Sequence, residues 1–133
     1  MSKRNPLHTY RSVQATSCDP TQLLLLLYDK TTSEIQKAIL LFQSYPADTD
    51  QARYCLVKAH LGVMELDKTL NFKVLPELAQ SLHNLYLHVL LLLGEGISES
   101  RVDSLQRAHT LLSDLRRTWD EAARNAVKGE AAV

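Results

Sequence analysis

Apolar residues recur along this chain at intervals of three and four, in four stretches separated by short polar or proline-containing breaks. That interval matches the 3.6-residue turn of an α-helix, whose buried face takes positions i, i+3, i+4 and i+7. In the first stretch Leu24, Tyr28, Thr31, Ile35, Ala38 and Phe42 follow the rule, and Leu23, Leu26, Leu27, Ile39 and Leu41 widen the face. Asp19 can accept the unpaired N–H groups at the helix start. Pro20 suits the first helical position, where a missing N–H costs nothing. Ser44-Tyr45-Pro46 ends the helix, because a residue before proline is pushed out of the α region.

Asp48 or Thr49 can cap the second helix, whose seam is Ala52, Leu56, Ala59, Val63, Leu66 and Leu70. Val57, Leu61 and Met64 form a neighbouring stripe outside that seam. Asn71 to Leu75 reads as a break, and Pro76 can open the third helix. There the seam is Leu78, Leu82, Leu85, Val89 and Leu92, with Tyr86, Leu90 and Leu93 beside it and Leu87 and Leu91 further round. Gly94 and Gly96 are the expected stop. Ser98 or Ser100 then caps a fourth helix with the seam Leu105, Ala108, Leu112, Leu115, Trp119, Ala122 and Ala126. Its opposite side carries Arg101, Asp103, Arg107, Asp114, Arg117 and Arg124. Trp119 is expected to bury its ring with the indole N–H reaching a partner or water.

Four helices of about 20 residues with short links give an all-α, antiparallel up-down four-helix bundle. The expected layout is a bundle over residues 19–127, a short N-terminal segment (1–18) lying against it, and a disordered tail (128–133). One segment exceeds what a bundle needs. From Leu85 to Leu93 the third helix is apolar on almost every face, whereas a bundle helix needs a stripe about 100° wide. Either this helix is central, or part of it faces a groove meant for another chain.

Composition narrows the function without naming it. The chain has 133 residues, with 15 Lys plus Arg against 15 Asp plus Glu, so its formal charge is zero. Without a net field or a basic stripe, nucleic acid is not an expected partner. The longest apolar runs, Leu23–Tyr28 and Leu85–Leu93, fall short of the ~18 residues needed to span a bilayer, so membrane insertion is not expected either. The start, Met-Ser-Lys-Arg-Asn-Pro, is unlike a secretory signal. Two cysteines, Cys18 and Cys55, make no disulfide framework. The expectation is a cytoplasmic domain with free thiols.

Candidate chemistry is sparse. His83 and His88 are five apart and face different sides of their helix, while His60 and His109 lie on other helices. Neither His-Glu-x-x-His nor the Glu-x-x-His pairs of di-iron bundles occur, so no metal and no cofactor is expected. Cys18 sits near a helix start that could lower a thiol pKa, but no histidine is placed by sequence to serve as its base. Gly94-Glu95-Gly96 is too short for a phosphate loop and follows a helix rather than preceding one. No catalytic residues are assigned, and the chain reads as a non-enzyme.

The segment Leu25-Leu26-Leu27-Tyr28-Asp29, after Asp19-Pro20, resembles the Met-Leu-Tyr-Asp region of the FliS family of flagellar secretion chaperones. The likeness continues through Lys58-Ala59, Glu65-Leu66 and Leu70-Asn71. Leu82 with Leu85-Tyr86 is similar to that family's Asn-Leu-x-x-Leu-Tyr. Leu112, Leu115-Arg116 and Trp119 are similar to its Leu-x-x-Leu-Arg-x-x-Trp. Tyr10 and Val13 resemble its N-terminal Tyr…Val, so the likeness runs from Tyr10 to Ala123.

The resemblance implies a cytoplasmic chaperone that binds the disordered C-terminal segment of flagellin. Such a chaperone prevents premature polymerisation and presents its client to the flagellar export apparatus. The client contacts expected from the surplus faces are Val57, Leu61, Met64, Tyr86, Leu87, Leu90, Leu91 and Leu93. For any one of them periodicity does not separate client contact from core. Tyr10 and Val13 are expected to act as a lid over apolar surface. The alternative is a generic helical adaptor, or a homodimeric regulatory protein, using the same apolar faces, with weak self-association.

Overall fold

Where each helix begins and ends follows from local chemistry. In the computed structural model, which describes residues 20–132, the helices are α1 (Pro20–Gln43), α2 (Thr49–Lys68), α3 (Pro76–Glu99) and α4 (Val102–Ala132). Asp19, the expected cap of α1, and residues 1–18 lie outside the described residues. Asp48 caps α2 by accepting the Gln51 N–H at 3.2 Å. Pro76 occupies the first turn of α3, as the sequence suggested.

Each helix packs on its neighbours in the chain, and α1 also packs on α4, so the four form a closed ring. Antiparallel order is fixed by cross-links at both ends. Arg53, early in α2, donates through Nε to the carbonyl of Ile97, late in α3, at 2.9 Å. Asp67, late in α2, is 2.7 Å from Nδ1 of His83, early in α3. The guanidinium of Arg116 on α4 grips Asp29 on α1 with two hydrogen bonds, at 2.7 and 3.3 Å. This is the up-down four-helix bundle expected from the seams.

The glycines do not stop α3. The helix continues three residues past Gly96 and ends at Ser100, whose backbone is left-handed (φ 55°) and whose N–H bonds the Gly96 carbonyl at 3.0 Å. Gly96 is buried, and a Cβ there would collide with the Leu105 side chain. It is small so that α3 and α4 can approach. Ser98 and Ser100 therefore do not cap α4. Ser98 donates back to the Gly94 carbonyl within α3, and α4 starts at Val102. At the other end the α4 backbone stays helical to Ala132, beyond the expected limit of the bundle at residue 127.

The seam of α2 is the core as read: Ala52, Leu56, Ala59, Val63 and Leu66 are fully buried, with Leu70 partly so. Tyr28, Thr31, Ile35 and Ala38 of α1 and Leu105, Ala108 and Leu112 of α4 join them. Each such large apolar side chain contributes about 1.5–3 kcal/mol by leaving water. The expected seam of α4 loses burial beyond Trp119, where Ala122 and Ala126 are exposed.

The face of α3 is rotated from the expected one. Leu82, Val89 and Leu92 are buried, but Leu78 is exposed and Leu85 only half-buried, while Ala79, Tyr86, Leu93 and Gly96 turn inward. A helix apolar all round gives periodicity no edge to lock onto, and packing chose the face that admits Gly96.

A further buried group was not legible from spacing. Glu34 is nearly enclosed between α1 and α2, held by Lys58 at 3.1 Å and Lys37 at 3.2 Å. Burial alone would raise its carboxyl pKa, but the two ammonium groups outweigh that and hold it below the usual glutamate value.

Candidate functional site

Among the described residues, two groupings of exposed apolar side chains stand out once the core is complete. The first is the outer face of α2 and α3. Val57 is 47%, Leu61 55%, Met64 40%, Leu87 49% and Leu91 61% exposed. The Arg53–Ile97 and Asp67–His83 links set the register of the two antiparallel helices. With equal rise in opposite directions, Met64 lies level with residue 86, one position from Leu87, and Leu61 level with residue 89, one and two positions from Leu90 and Leu91. Leu90, half-buried, packs against the core from beneath this row. Six of the eight expected contacts therefore share one side of the molecule.

The other two do not. Tyr86 and Leu93 are core, 1% and 0% exposed. The physical reason for Tyr86 is its hydroxyl: once inside, it finds a partner in the hydroxyl of Tyr28 across the bundle. Leu93 follows because it lies two turns further along the same face as Tyr86. Tyr10 and Val13, the expected lid residues, are outside the described residues.

The second region is a cavity of about 540 Å³ at the end of the bundle where α1 and α3 begin. Its apolar walls are Leu23, Leu24 and Leu27 of α1, Leu70 after α2, Val74 and Leu75 of the following loop, Leu78, Ala79 and Leu82 of α3, and Trp119 of α4, with Thr21, Thr69 and Asn71 completing the lining. Pro20, the first residue of α1, stands at its rim. The α2–α3 loop is braced over one side, with the Phe72 ring meeting the His83 imidazole edge-on at 6.2 Å, close to the Asp67–His83 contact.

No expected contact residue lines this cavity. It is assembled from helix ends and a loop, which helix periodicity does not address. One signal was present in the sequence: the stretch read as a break, Asn71 to Leu75, holds Phe72, Val74 and Leu75, three large apolar residues where a plain turn needs none.

Three polar atoms lie beside the apolar cavity. Trp119 donates its indole N–H to the Tyr28 hydroxyl at 3.1 Å, and that hydroxyl is bonded to the one of Tyr86. Burial raises the pKa of both phenols above the ordinary tyrosine value, so both stay neutral in the physiological range. Neutral hydroxyls paired in a dry site hold position and carry no reactive charge.

Among the described residues no group of three or more His, Cys, Asp or Glu side chains gathers in one place. Cys55 is a free, buried thiol. No described helix is long and apolar enough to cross a membrane. What this arrangement offers a partner is mainly apolar area, in the strip and the end cavity, with a smaller hollow of about 220 Å³ between α1 and α2 where Leu61 stands beside Leu27, Lys58 and Glu65.

A comparison with curated proteins returns no match. The family described as flagellar protein FliS matches residues 3–126. That span takes in all of α1, α2 and α3, the tyrosine pair and Trp119, so the chain belongs to the FliS family of flagellar secretion chaperones.

Proposed function

We propose that this chain holds the disordered C-terminal segment of flagellin in the cytoplasm, keeps it from polymerising early, and presents it to the flagellar export apparatus. The observation that carries this reading is the strip Val57, Leu61, Met64, Leu87 and Leu91, left in water by a bundle whose core is already filled by other residues. Strips of this kind on a folded chain mark a binding face. An amphipathic segment that packs only within a filament has nowhere to place its apolar side when alone. Two parallel ridges accept such a segment as a helix docked through i, i+3, i+4 and i+7 anchors. Met64 suits the wall, since its unbranched thioether chain repacks around different neighbours.

The end cavity takes one further apolar anchor of the same client. Before the client arrives, residues 1–18 lie over exposed apolar surface, with Tyr10 and Val13 as the covering side chains. Release requires competition by the next partner and no chemical step.

Titration calorimetry with a peptide covering about the last 40 residues of the host's flagellin tests the proposal. Binding is expected with the negative heat-capacity change of 1,000–3,000 Å² (order of magnitude) of coupled folding and burial. Absence of both heat and heat-capacity change removes the reading. A stable homodimer that buries the α2–α3 strip and ignores the peptide would put a self-associating regulatory protein in its place.

A further inference from the structure

Two fully buried tyrosines in a largely apolar core call for a reason. Phenylalanine would fill the same space without taking a hydroxyl out of water. Here the hydroxyls of Tyr28 on α1 and Tyr86 on α3 bond each other, and the Tyr28 oxygen also accepts the indole N–H of Trp119 on α4. Three of the four helices meet at this one polar point, beside the end cavity.

Trp119 is otherwise weakly held. It is only half-buried, and the next residues one turn along α4, Ala122 and Ala123, are too small to wedge its ring. One side of the indole faces an open volume of about 540 Å³. An aromatic ring gains by burial, so an indole free to change rotamer would turn into that space and fill it. The hydrogen bond to Tyr28 opposes this.

We propose that the Tyr28–Tyr86 hydroxyl pair is a latch that positions the Trp119 indole as a wall of the end cavity and keeps the cavity open to an apolar guest. The tyrosines are positioning residues, acting through Trp119. That the guest is part of the flagellin segment rests on the function proposed above; the latch itself does not.

Trp119 is the only tryptophan in the chain, so its fluorescence reports this point alone. The experiment compares the full chain with Tyr28→Phe and Tyr86→Phe by tryptophan emission, acrylamide quenching, apolar-dye binding and far-ultraviolet circular dichroism. Tyr28→Phe is expected to shift the emission and to weaken dye binding roughly three- to tenfold, the scale of one neutral hydrogen bond, with helical content intact. Tyr86→Phe keeps the Trp119–Tyr28 bond and frees only its far end, so it gives the same change with smaller amplitude. Unchanged emission and dye binding in a folded Tyr28→Phe chain overturn the latch. If Tyr28→Phe does not fold, Tyr86→Phe decides: no shift in either signal overturns it. A wild-type chain that binds no flagellin peptide would sink the client reading while leaving these signals intact. A chain that binds peptide, yet whose folded Tyr28→Phe variant matches it in both signals, would sink the latch alone.

Discussion

The outer strip on α2 and α3 and the cavity at the bundle end are both apolar and both open, but they are built differently. Each ridge of the strip comes from a single helix, as side chains one or two turns apart that point away from the core. The cavity comes from no single element: α1, the segment between α2 and α3, and α3 each contribute several side chains and α4 contributes Trp119, and its depth depends on where the helices stop. A surface made within one helix can be changed without disturbing the fold. A surface made by the meeting of several can be changed so freely only at its exposed rim, because its inner walls also hold the helices together.

That contrast sets the expected size of each perturbation. Trp119→Ala removes a cavity wall and the bond to Tyr28 together and is expected to cost about 2–4 kcal/mol in urea unfolding. Leu91→Ala on the strip stays within about 0.5 kcal/mol. Equal costs would break the distinction. Leu61→Asp and Leu87→Asp, singly, are expected to weaken peptide binding in calorimetry by about tenfold or more while leaving the thermal midpoint nearly unchanged. Leu78→Asp, at the cavity rim, should instead reduce apolar-dye binding severalfold with circular dichroism intact. Deleting residues 1–16 is expected to do the opposite, raising dye binding at constant helical content; no change counts against a covering role for Tyr10 and Val13.

The smallest effect belongs to a polar site that should leave both regions alone. Glu34 is held ionised by Lys58 and Lys37, so its folded pKa lies below the ordinary value of 4.5. A lowered carboxylate pKa stabilises the fold above the unfolded value and loses that contribution as pH falls through the folded one. Glu34→Gln is therefore expected to be less stable than wild type at pH 7, with the gap closing below pH 4.5. Dye and peptide binding at pH 7 should not move.

Helix number, order and antiparallel packing were all readable from spacing, because seams such as Ala52–Leu56–Ala59–Val63–Leu66 sit beside clearly polar positions. On α3 the same method misplaced the face: Leu78 and Leu85 stood in the expected seam, and Tyr86 and Leu93 among the expected contacts. With leucine on every side, the choice falls to packing partners, the Tyr28 hydroxyl and the space left by Gly96 against Leu105. Helix ends misled for a related reason. Gly94 and Gly96 carry the residue type of a stop, yet Gly96 is needed for close approach, and Ser100 takes the left-handed turn. The strip was legible in Val57, Leu61 and Met64 because α2 has a sharp polar boundary. The cavity was not, since its shape is set by residues as far apart as Leu24 and Trp119.

The Arg116–Asp29 grip and the Trp119–Tyr28 bond join positions 87 and 91 residues apart. Ring closure thus waits on the last helix. In a chain made from its N-terminus, the partner of α1 on the α2 side is available early, but its flank toward α4 has no partner until residues 116 to 119 are made. Before that point Tyr28 lacks its Trp119 donor and the end cavity lacks its α4 wall, so closing the ring and completing the cavity are one event.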